Sequence, residues 1–101
     1  MSGTYLYVAD RFTKLNMGFG ELVELWNTNP LRPFEAVRGL VEEVLGPVKR
    51  VLRHAAYLNP DGPTAVVEYI VEVKSGEASV KIVHAEEPGR ALMEYYDAER
   101  R

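Results

Sequence analysis

Between Leu45 and Val48 the spacing of apolar residues changes its period, and that change constrains the fold more than any other feature of the chain. Before it, Phe34, Val37, Leu40, Val41, Val44 and Leu45 recur every three or four residues, one stripe of a helix. Pro33 suits a first helical turn, and Gly46-Pro47 supplies a C-cap glycine followed by a breaker. After it, apolar residues recur at every second position, the period of a strand. Helix first and strands in succession afterwards point to an antiparallel sheet with helices laid on it, not to alternating βαβ units.

The extended half divides into three strands. Val48–Leu58 ends at Asn59-Pro60-Asp61-Gly62-Pro63, a dense run of turn residues, and Thr64–Lys74 follows. Ser75-Gly76 reads as a two-residue hairpin connection into Glu77–Glu86. Pairing across it sets Val73 against Ala78, Val71 against Val80, Tyr69 against Ile82 and Val67 against His84, all on one face. The other face pairs Glu72 with Ser79, Ile70 with Lys81 and Glu68 with Val83. Upstream, Thr4–Ala9 is a first strand, Asp10–Gly20 a loop, and Glu21–Trp26 a short helix stopped by Asn27-Thr28-Asn29-Pro30. Gly89–Arg101, with Ala91, Leu92, Tyr95 and Tyr96 in a narrow stripe, is a last helix that docks on the domain or a partner. The expected fold is one α+β domain over residues 1–101, elements β-α-α-β-β-β-α, a two-layer sandwich with helices on one face of an antiparallel sheet.

Composition narrows the function classes. With no cysteine, disulfides, thiolate metal sites and cysteine nucleophiles are excluded. No apolar run reaches the ~20 residues that span a bilayer. The opening Met1-Ser2-Gly3-Thr4-Tyr5 lacks the pattern of a secretory signal, so the expected compartment is the cytoplasm. A net charge of −3 offers nucleic acid no whole-molecule attraction. Glutamine is absent and charged residues make up 27%, a pattern of proteins from hot environments.

No catalytic or cofactor motif is present. His54 and His84 stand alone, without the third ligand or the spacing that a metal needs. A simple hairpin about the Asn59–Pro63 turn sets Leu58 against Thr64, Arg50 against Glu72, Leu52 against Ile70 and His54 against Glu68. The last pair has the form of a base held by a carboxylate, yet no nucleophile accompanies it, and a cross-strand structural pair is the better account. Glu68 and Glu72 lie on one strand face roughly 13 Å apart, too far for a carboxylate dyad. Met17-Gly18-Phe19-Gly20 before a helix lacks the Lys-Ser/Thr of a phosphate loop. Neither cofactor nor metal is expected.

Two surfaces remain. Lys49, Arg50 and Arg53 with Tyr57 form a basic patch with a stacking ring, the chemistry of single-strand nucleic-acid modules, opposed by Glu68 and Glu72 beside it. Leu52, Leu58, Val66, Ile70 and Val83 interrupt the sheet face that a solvated sheet would keep polar, as an interface core does. The leading expectation is a non-catalytic binding or assembly module, homo-oligomeric through that sheet face or the last helix. The alternatives are a single-strand nucleic-acid binder and a small-ligand pocket or enzyme lined by Phe19, Trp26, Tyr69 and His84.

Overall fold

Helix and strand form where the periods place them. The computed structural model describes residues 3–99. In chain order the elements are β1 (Gly3–Val8), β2 (Arg11–Leu15), α1 (Phe19–Thr28), α2 (Arg32–Leu45), β3 (Arg50–Asn59), β4 (Thr64–Val73), β5 (Gly76–Ala85) and α3 (Pro88–Glu99). The strands form one antiparallel sheet in the order β2-β1-β5-β4-β3. The fold is α+β, with three helices packed on the sheet. None of the described helices is long and apolar enough to cross a membrane.

α2 behaves as its spacing requires. Phe34, Val37 and Val41 are buried, Val44 and Leu45 partly so, and Leu40 lies at the exposed margin of the stripe. Gly46 ends it at φ +80°, the left-handed region that glycine enters without steric cost, and its N–H donates to the Glu42 carbonyl. The Glu42 carboxylate accepts from the Val48 N–H at 2.7 Å, so the turn into the sheet is pinned from the helix.

Both α1 and α2 cover the face formed by Leu6, Val8, Val67, Tyr69, Val71, Val80 and Ile82, and Leu22, Phe34, Val37 and Val41 fill the space between. Each such side chain removed from water contributes about 1.5–3 kcal/mol. Tyr69 is fully buried, and its hydroxyl donates to the Pro30 carbonyl. Burial pushes its pKa well above the ordinary phenol value, so the donor stays protonated.

Four features depart from the expected layout. The segment taken as a loop after Ala9 contains β2, an edge strand joined to β1 through Ala9-Asp10 with Ala9 at φ +54°. It is exposed on both sides except at Leu15, so no apolar alternation marks it. β4 and β5 pair two residues away from the expected register: the turn is Lys74-Ser75, Val73 meets Gly76, and Glu68 meets Lys81. A shift of two keeps every side chain on its face; it brings Glu68 to Lys81 and also sets Glu72 against Glu77. β3 is bulged between Val51 and Arg53, so His54 meets Tyr69 rather than Glu68, and Leu58 meets Ala65. Last, α3 packs on the opposite face from α1 and α2, over Val66, Val83 and Ala85 through Ala91 and Tyr95. Arg100 and Arg101, the end of the expected last helix, lie outside the described residues.

Candidate functional site

The second face of the sheet holds a polar cluster at its centre. The β4–β5 register puts Glu68 opposite Lys81, with Ser79 next along the strand. Ser79 Oγ donates to Glu68 Oε2 at 3.0 Å and Tyr95 Oη to Glu68 Oε1 at 2.9 Å. Lys81 Nζ donates to Ser79 Oγ at 2.7 Å, lies 3.6 Å from Glu68 Oε2, and sits 5.3 Å from the Tyr96 ring centroid. A serine beside a lysine has the form of a nucleophile and its base. Here, however, the serine proton is committed to Glu68, and α3 lies over the sheet at this point. The cluster ties α3 down and fixes its rotation on the sheet. Sequence reasoning missed it, because the unshifted register put Val83, not Lys81, against Glu68.

Among the described residues, three of the surface hollows stand out, each open and separate from the others. One of about 170 Å³, lined by Arg53, His54, Ala55, Glu68 and Ile70, lies beside β3. One of about 310 Å³ lies between the β3–β4 turn and the start of α3, with Glu86, Glu87, Arg90 and Glu94 around it. The third, about 380 Å³, is formed by Glu21, Glu24, Leu25, Thr28 and Arg32. None is lined by Phe19, Trp26, Tyr69 or His84. Those four are spread along the core instead: Phe19 packs on His84 and Trp26 meets His54 edge-on, each at 5.6 Å between ring centroids. Among the described residues no three His, Asp or Glu side chains are placed to hold a metal.

His84 is the one histidine in a built environment. Thr4 Oγ1 donates to the Met17 carbonyl at 2.6 Å, which leaves it to accept from His84 Nδ1–H at 2.7 Å. Burial holds its pKa below the ordinary imidazole value.

The expected interface residues do not form one patch. Val66 and Val83 are cross-strand partners with 0% exposure beneath α3. Leu58 faces the other way and packs against the main core. Only Ile70, half-buried, and Leu52, the exposed bulge residue, remain near solvent on the β3 side, with Tyr57 40% exposed nearby. The basic patch is partly neutralised: Arg50 pairs with Glu72 at 2.8 Å and Arg53 with Glu77 at 3.6 Å. Lys49 precedes β3, its backbone N–H bonded to the Glu72 carbonyl.

On the β1–β2 side the same face carries an aromatic group that the sequence reading placed in a loop. The Phe12 ring stacks on Tyr7 at 5.6 Å and 19° and meets Tyr5 at 5.8 Å, yet Phe12 is 64% exposed. Lys14 lies on the same side of β2, opposite Tyr5. No family model, curated protein or solved structure matches the chain.

Proposed function

We propose that this chain is a non-catalytic binding and assembly module of the cytoplasm that associates with copies of itself through the parts of its sheet that its own helices leave open. The observation that carries this reading is the incomplete cover of the second face. α3 buries Val66 and Val83 along the middle, while Phe12, Tyr57 and Leu52 stay exposed on either side. Phe12 lies on the open edge strand β2 and Tyr57 and Leu52 lie on the open edge strand β3, and an unpaired edge is a ready template for another chain. The polar cluster under α3 supports the same reading by holding that helix over the middle of the sheet, away from both edges. Size-exclusion chromatography with light scattering tests it: a species heavier than one chain is expected at micromolar concentration, and a strict monomer removes the reading. The composition adds an expectation of heat tolerance, a melting temperature above the mesophile range of about 45–65 °C.

A further inference from the structure

The two edges of the sheet are unlike. β3 carries a bulge at Leu52, a device that keeps an edge from pairing with another chain, and both edges carry two basic residues. β2, Arg11-Phe12-Thr13-Lys14-Leu15, has neither bulge nor proline nor glycine. Its backbone polarity follows from the turn. In a two-residue hairpin the residues flanking the turn exchange both hydrogen bonds, and bonded and non-bonded pairs then alternate. Val8 and Arg11 flank Ala9-Asp10, so Arg11, Thr13 and Leu15 bond to β1, and the N–H and C=O groups of Phe12 and Lys14 face outward.

We propose that a second copy of this chain occupies that edge, its β2 antiparallel to the first, with Thr13 on the two-fold axis. The inference rests on the self-association reading and gives it a seat. In this register Phe12 meets Lys14 of the other copy twice, and all four outward backbone groups find partners. Arg11 meets Leu15, so no like charges face each other. Centring on Lys14 would set two ammonium groups together, and centring on Phe12 would use fewer outward groups. The side chains complement one another as well. Lys14 and Arg11 have no ion pair among the described residues, and the Lys14 ammonium of one copy comes beside the exposed Phe12 ring of the other. The ring row Tyr7–Phe12 then continues across the axis through Lys14 to Tyr5 of the second copy.

Light scattering of the full chain and of Phe12→Lys and Phe12→Glu tests the register, with circular dichroism to confirm that each exposed-site variant folds. Phe12→Lys faces Lys14 with a like charge on both sides of the axis and is expected to weaken the dimer roughly tenfold or more. Phe12→Glu faces Lys14 with an opposite charge and is expected to keep the dimer. The chain has no cysteine, so Thr13→Cys, on a non-hydrogen-bonded pair at the axis, is expected to form a disulfide-linked dimer, and Arg53→Cys is not. A wild-type dimer in which both Phe12 variants dissociate, or Thr13→Cys does not cross-link, overturns the seat and leaves self-association standing. A wild-type monomer overturns both. A monomer that binds a fluorescent single-stranded oligonucleotide, less tightly after Phe12→Ala, gives the rings to nucleic acid instead.

Discussion

The two faces of the sheet are cut from the same strands by alternation, yet they are built on different principles. Under α1 and α2, Val67, Tyr69, Val71, Val80 and Ile82 have no exposure, and the contact is mainly aliphatic and aromatic, with Thr4–His84 and Tyr69–Pro30 as polar bonds within it. Under α3, Val66 and Val83 are equally buried, but the next pair on each strand is Glu68 with Lys81, bridged by Ser79 and Tyr95. Apolar packing is strong and tolerant of small slides, whereas a polar group with directional partners accepts one arrangement. The first face holds the domain together; the second decides where one helix sits and what stays open beside it.

Substitutions can break that contrast. Phe34→Ala removes a fully buried ring from the first face and is expected to cost about 3–5 kcal/mol in urea denaturation. A loss below that of the second-face variants would show that the main core lies elsewhere. Glu68→Ala removes the acceptor of the Ser79 and Tyr95 hydroxyls and the counter-charge of Lys81, with an expected cost of about 1–3 kcal/mol. Its signature is faster amide exchange in α3 with the α1–α2 face unchanged; exchange that rises uniformly would mean the faces are not separable. Ile70→Ala, at the half-buried edge of the hollow beside β3, is expected to cost less than about 1 kcal/mol in the monomer. A cost like that of a core isoleucine would mean that this side is covered in solution.

The smallest effect is a slope with pH. Unfolded His84 takes a proton more readily than buried His84, so its contribution to stability is full above the ordinary imidazole value of 6.5. That contribution falls as pH drops through 6.5 toward the lowered native value. Chemical denaturation on both sides of that pH, with His84→Gln as reference, measures the slope; equal slopes for the two proteins would exclude His84 as the source.

The main helix, the strands after it and the sorting of residues to faces were legible because period 3.6 and period 2 leave different marks on the sequence. What stayed hidden leaves no mark of that kind. β2 is wet on both sides, so Phe12 and Lys14 alternate with Arg11 and Thr13 without contrast, and Ala9 takes the positive φ where glycine would have announced a turn. A shift of two residues between β4 and β5 preserves every face, so alternation cannot tell the registers apart; the observed one gains Glu68–Lys81 although it sets Glu72 against Glu77. The stripe on α3 announced a docked helix and did not say on which side. The β3 bulge turned Leu58 away from the expected interface, since past Leu52 each side chain changes face, and α3 covered Val66 and Val83.

The position of β1 has a consequence for how the domain reaches its native state. It lies between β2 and β5, and its partner residues in β5 stand about 80 positions later in the chain. β3, β4 and β5 are joined by short connections and can zip locally, but β1 has to close a long loop before it pairs with β5, a slow step. Until then β5 is itself an unguarded border. The amino-terminal hairpin is thus made early and seated late, and only its seating retires one sticky margin and presents the other in finished form.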